Sequence, residues 1–127
     1  MSAVAALVLC LSPTVMDGDT FRCANIPQKI RIAGIDAPDK SCNGRRQTNC
    51  LLTGPRGDWT VSRDKLARLF RTNQPIMLRL YRGTTYGRSI AAVCIGRTNV
   101  GAFMVRNRYA RYMAQWNGAG VRYKCQG

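Results

Sequence analysis

Four aspartates, Asp17, Asp19, Asp36 and Asp39, fall within 23 positions of a chain whose only other acidic residues are Asp58 and Asp64. Around them stand 16 Arg and 4 Lys, which leave a formal net charge of +14. A small carboxylate cluster in a strongly cationic protein fits one hard cation held where a polyanion binds. The sequence contains neither His nor Glu. That excludes Ser-His-Asp hydrolysis, His-ligated zinc and any mechanism with a histidine base. Catalysis, if present, falls to Asp, Arg, Lys, Tyr, backbone groups or a metal ion.

A phosphodiester cleavage site would suit this inventory. A divalent cation there neutralises a nonbridging phosphate oxygen and acidifies water. Ca²⁺ accepts carboxylate and carbonyl oxygens, which this chain supplies. Cationic side chains must then hold the extra negative charge of the pentacoordinate state, and Arg does so through two points at once. Arginine outnumbers lysine four to one, which suits phosphate contacts better than solubility alone. The partner expected is DNA, RNA or both rather than a membrane, because no stretch reads as a basic amphipathic helix. No protein partner is called for, and a monomer is expected.

The elements that must position these residues fit one domain over 1–127, with an apolar fraction of 46% that supports a modest core. Residues 8–23 read as strand, turn at Met16-Asp17-Gly18-Asp19, and strand, since Asp-Gly between apolar runs marks a hairpin. Lys29-Ile30-Arg31-Ile32 alternates with period two, which puts Ile30 and Ile32 on the core face and Arg31 on the other. Gly34 permits a close approach, and Asp36-Ala37-Pro38-Asp39 breaks the strand. Residues 40–58 read as a loop. Asp58 suits the N-cap of a helix over Trp59–Thr72. Pro75–Tyr81 reads as a strand, Arg82–Gly87 as a turn, Arg88–Ile95 as the returning strand, and Val100–Asn107 as a second helix. Five strands with a helix after the third predict an α+β fold: an OB-type Greek-key β-barrel capped by two or three helices.

Six cysteines stand at 10, 23, 42, 50, 94 and 125. They lack C-x-x-C pairs and histidine companions, so three disulfides in an oxidising compartment are favoured over a zinc site or free thiols. Fifteen pairings are open to six cysteines. The pairing expected is Cys10–Cys23 across the first hairpin, Cys42–Cys50 within the loop, and Cys94–Cys125 as the remainder. On this ground the protein is expected to be secreted or periplasmic. Residues 1–8 carry the small-x-small pattern of a signal-peptide remnant, though the same segment also reads as the approach to the first core strand.

Three motifs carry a resemblance. Val15-Met16-Asp17-Gly18-Asp19-Thr20, then Ile30-Arg31-Ile32-Ala33-Gly34-Ile35-Asp36-Ala37-Pro38-Asp39, then Tyr86-Gly87-Arg88 resemble, in order and spacing, the successive motifs of the staphylococcal nuclease (thermonuclease) family. The agreement runs over roughly 14–112, and the cysteine-rich segment resembles the family's cysteine-containing bacterial branch. The resemblance implies an OB barrel and a Ca²⁺-dependent nuclease that cuts DNA and RNA with little sequence preference, leaving 3′-phosphates. It implies Asp19 and Asp36 as carboxylate ligands, helped by the Ala37 carbonyl, with Arg31 and Arg88 on the scissile phosphate. Asp39 falls where the family places a glutamate that positions or deprotonates water.

Two departures accompany it. Ala37 replaces the usual threonine, which a carbonyl ligand survives. Asp39 is one methylene shorter than glutamate, so its oxygens retract by about 1.5 Å, and misplacement near 1 Å costs on the order of a hundredfold in rate. A nuclease-like domain that binds nucleic acid with weak or no catalysis is therefore the competing reading. Asp17 reads as a turn former. Tyr86 reads either as a turn residue or as a base-stacking group. Tyr109, Tyr112 and Trp116, with Arg111 among them, read equally as a nucleic-acid platform or as packing over the barrel's open edge.

Overall fold

The computed structural model describes residues 7–39, 53–54, 56–85 and 87–126. The chain opens with β1 (Leu7–Cys10), β2 (Thr14–Asp17), β3 (Thr20–Arg22), β4 (Lys29–Ile32) and β5 (Ile35–Asp36). A short pair, β6 (Thr53–Gly54) and β7 (Gly57–Asp58), leads into α1 (Trp59–Leu69). Then come the long strands β8 (Ile76–Thr85) and β9 (Arg88–Ile95), β10 (Thr98–Asn99), α2 (Val100–Arg106) and β11 (Arg111–Tyr112). Two 3₁₀ turns, Ala114–Trp116 and Gly118–Arg122, complete it.

The main sheet is mixed, in the order β1-β8-β9-β4-β3-β2, with β10 on β9. Neighbours are antiparallel except β4 and β9, which run parallel. This is the expected α+β, OB-like architecture, with one difference: the hydrogen-bonded path from β1 to β2 does not close. A covalent link spans the gap instead. Cys10, ending edge strand β1, is bridged to Cys23, just past β3. The Asn25 side chain accepts from the Leu11 amide and donates to the Leu9 carbonyl. Cys94–Cys125 fastens the C-terminal segment to β9. Both bridges match the expected pairing; Cys42 and Cys50 lie outside the described residues. Each closes a loop of tens of residues or fewer, which stabilises by about 3 kcal/mol through the unfolded chain. Two disulfides mark an oxidising compartment. Among the described residues, no helix is long and apolar enough to cross a membrane.

Alternation puts Phe21, Ile30, Ile32, Leu78 and Val93 inside, where they meet Leu66 of α1 and Val100 and Met104 of α2, all fully buried. Phe21 and Phe70 pack edge to face, with ring centroids 4.9 Å apart. Asp58 caps α1 as expected, its carboxylate accepting from the Thr60 amide. The helix stops at Leu69 rather than Thr72, because Thr72 Oγ1 takes the Gln74 amide into a local turn ahead of Pro75. Asn99 caps α2 by accepting from the Ala102 amide. β8 runs on to Thr85 through a register shift after Leu80, so the strand extends into the expected turn.

Candidate active site

The β2–β3 turn brings the first two carboxylates in. Asp17 pairs with Thr20 across a two-residue Gly18-Asp19 turn, and the Asp17 carboxylate accepts from the Asp19 amide. The turn lies flat on its surroundings because position 18 has no side chain. A Cβ there would come within 2.6 Å of the Ser62 Cβ and 2.8 Å of the Ala37 Cβ, closer than real contacts allow. That close approach sets the turn against both α1 and the Asp36-Ala37 segment. Asp19 Oδ2 accepts from the Ala37 amide at 2.8 Å, and its Oδ1 accepts from Thr20 Oγ1.

Gly34 turns the chain from β4 into β5 with a φ of +79°, a region glycine enters without strain. β5 then pairs with β11, opposing Asp36 to Arg111 and Ile35 to Tyr112. Arg31 rises from β4 on the face opposite Ile30 and Ile32, as alternation requires, yet only 4% of it is exposed. Its Nη1 lies 2.8 Å from Asp19 Oδ1, and its Nη2 lies 3.4 Å from Asp36 Oδ1 and donates to the Ile35 carbonyl. Arg111 Nη2 takes the other Asp36 oxygen at 3.3 Å. The Arg31 guanidinium also lies 4.3 Å from the centre of the Trp116 ring, with Arg88 5.5 Å from the same ring. Among the described residues, the buried Arg31 Nε has no hydrogen-bond partner.

The electrostatics bind the cluster together. Burial, then the Asp19 charge, raises the proton affinity of Asp17 until its pKa reaches about 8, with Asp39 contributing in the same direction. Burial and Asp19 likewise hold Asp36 above the usual carboxylate range, although Arg31 and Arg111 pull it down. The Arg88 guanidinium holds its proton less tightly than usual because it is partly desolvated and faces Arg31, while Asp19, Asp17 and Asp39 oppose that effect. Asp39, half-buried after Pro38, thus acts on both Asp17 and Arg88.

Asp19, Arg31, Asp36, Ala37, Asp39 and Arg88 are therefore gathered at one place. Tyr112 is exposed on β11 with its hydroxyl end against Gly118, and Arg111 is engaged with Asp36. Tyr109 lies elsewhere in contact terms: Arg56 stands 4.9 Å and Lys65 5.8 Å from its ring, and Ser62 Oγ donates to its carbonyl. Tyr86 lies outside the described residues. Asp17 escapes the sequence reading as a site member, because its turn signature hides its electrostatic part. Trp116 reads in the sequence as a platform or edge-packing residue, and its contact with Arg31, 85 positions away, follows from no sequence pattern.

Among the described residues, no three ligating side chains stand close enough to enclose a metal ion. The donor chemistry nevertheless fits an open site for a hard cation. Asp19, Asp36 and the Ala37 carbonyl offer oxygen alone. Burial first, and then the Asp19 charge, raise the proton affinities of Asp17 and Asp36, and a divalent ion beside them would favour the ionised forms.

The model of the family described as staphylococcal nuclease homologue matches residues 29–125. The matched stretch holds Arg31, Asp36, Ala37, Asp39 and Arg88 and begins after Asp19. No curated protein matches the chain.

Proposed function

The chain belongs to the staphylococcal nuclease homologue family, and from that premise we propose that it is a calcium-dependent nuclease hydrolysing phosphodiester bonds of DNA and RNA to 3′-phosphate products. The observation that carries the reading is the double engagement of Arg31. It contacts both Asp19 and Asp36 while sharing the Trp116 ring with Arg88. Two carboxylates and two arginines thus stand on one ring of contacts, a set that supports a cation and a phosphate as ligands.

Held by Asp19, Asp36 and the Ala37 carbonyl, Ca²⁺ would supply positive charge beside a nonbridging oxygen and lower the pKa of a water. Arg31 and Arg88 would grip the scissile phosphate, and their charge counts most when the phosphorus gains its fifth oxygen. The buried Arg31 Nε, without a partner among the described residues, is a donor in want of an acceptor, and a phosphate oxygen would satisfy it. Trp116 would keep both guanidinium planes from swinging away. Asp39 would orient the attacking water and take its proton. Tyr112, exposed beside the site, would stack on a base, with Tyr86 and Tyr109 in the same class of contact. Arg111 would leave Asp36 for a phosphate of the incoming strand.

We read the protein as a single-domain monomer that a bacterium secretes or keeps in its periplasm; the expected signal-peptide remnant over residues 1–8 does not hold for Leu7 and Val8, which pair with β8 as part of the domain. The short side chain of Asp39 favours a second reading, a nuclease-like domain that binds nucleic acid without cutting it. Degradation of single-stranded DNA by the oxidised protein, in millimolar Ca²⁺ against EDTA, separates them. Ca²⁺-dependent cleavage is expected. Salt-sensitive binding with no cleavage would establish the second reading instead.

A further inference from the structure

A second cationic feature leads away from the carboxylates. Arg22 ends β3, Lys29 opens β4 and Arg88 opens β9. The β3–β4 register opposes Thr20 to Arg31 and Phe21 to Ile30, and one step further brings Arg22 beside Lys29. The β4–β9 register opposes Lys29 to Arg88. The three cations therefore form a row across adjacent strands, which at about 4.8 Å per strand spans roughly 10 Å. Lys29 and Arg31 are two residues apart on β4, so the row occupies the sheet face that also bears Arg31.

With Pro27, Gln28 and Gly87, these three residues line a recess of about 600 Å³. Among the described residues, no carboxylate lines it. Like charges set directly opposite one another across strands destabilise a sheet; the carboxylate cluster acts on Arg88, but among the described residues no ion pair offsets Arg22 or Lys29. A row of cations is offset by a row of anions arriving from outside. One small ion cannot meet charges spread over such a length, whereas the evenly spaced phosphates of a nucleic-acid strand can.

Arg88 belongs to both the recess and the carboxylate cluster. We propose that the recess is a phosphate subsite: it holds backbone phosphates next to the scissile one, through Arg22 and Lys29, and so favours polynucleotides over dinucleotides. The proposal rests on the nuclease reading for its substrate, but it makes a claim that cleavage does not decide. A strand leaving Arg88 passes over Lys29 and then Arg22, which fixes the path of the substrate along the ends of β9, β4 and β3.

The test is the binding of fluorescein-labelled dithymidylate and decathymidylate to the EDTA-treated protein, followed by anisotropy across a salt series. Arg22→Gln/Lys29→Gln is compared with Arg97→Gln/Lys124→Gln, which removes the same charge at the opposite end of β9. Loss of two phosphate contacts on a single strand should reduce the slope of log affinity against log salt by about 1.4. The tighter binding of decathymidylate over dithymidylate should shrink by roughly tenfold, while the distal variant keeps it. Thermal melting checks that each variant folds, and Arg22→Gln alone, at an exposed position, should show about half the slope change if the double variant does not.

Equal slopes for the two double variants would overturn the subsite. Failure of the wild type to bind either oligonucleotide would overturn it too. A wild type that binds with the expected slopes but leaves DNA intact in Ca²⁺ would sink the nuclease reading alone, leaving the subsite supported.

Discussion

Arg31 Nη1 sits 2.8 Å from Asp19 Oδ1, and both side chains are almost completely buried. A buried ion pair of this kind is worth little beside an apolar replacement of both partners, yet loss of one partner is severe. Arg31→Met would leave Asp19 and Asp36 buried without the cation between them. Stability should fall by about 3–5 kcal/mol, read as a lower urea midpoint. Arg31→Lys keeps the charge but not the fork that reaches both carboxylates; it should fold and lose on the order of a hundredfold in cleavage rate. An unchanged midpoint in Arg31→Met would show that the pair is not a structural element of the site.

Ca²⁺ should stabilise the folded protein, since a ligand that binds only the native state adds about 2.7 kcal/mol at a hundred times its Kd. On the proposed ligand set, Asp36→Asn removes one of two carboxylates and should abolish the Ca²⁺-dependent rise in Tm, along with cleavage. A rise that survives in Asp36→Asn would place the ion elsewhere.

The strands around the site were legible because their physics is local. Period-two alternation over Lys29–Ile32 placed Arg31 on the face away from Ile30 and Ile32, and Asp-Gly marked the turn that carries Asp19. What escaped was burial on that second face. Alternation assigns a side, and β5, β11 and the Trp116 turn, which roof this side, come from distant parts of the chain. The same long-range closure draws Arg111 onto Asp36 across 75 positions and turns Tyr109 towards Arg56. Helix ends were legible where a cap fixes them, as at Asp58, and missed where a local hydroxyl turn stops the helix early.

Asp17 and Asp36, both with raised proton affinity, should make the stability of the metal-free protein depend on pH. The folded pKa of Asp17, about 8, lies above the ordinary value of 3.8, so between these limits the folded state binds more protons than the unfolded one. Stability then falls as pH rises through this window. Asp17→Asn should remove much of that slope and raise Tm by about 3 °C or more at the alkaline end, without Ca²⁺ present. Melting curves from pH 4 to 9 decide it; parallel profiles for the wild type and variant would show that Asp17 ionises freely.

Asp39 tests whether the site is limited by reach. It stands half-buried after Pro38, with its charge acting on Asp17 and Arg88. Glutamate would carry its oxygens about 1.5 Å further. If Asp39 orients the water from slightly too far, Asp39→Glu should raise kcat by about tenfold or more with KM little changed, because such a gain belongs to the transition state alone. Asp39→Asn should lower kcat by about a hundredfold, since proton transfer contributes on that scale. A slower Asp39→Glu enzyme would mean that the backbone after Pro38 already brings the shorter carboxylate to the water, with no room for a longer one.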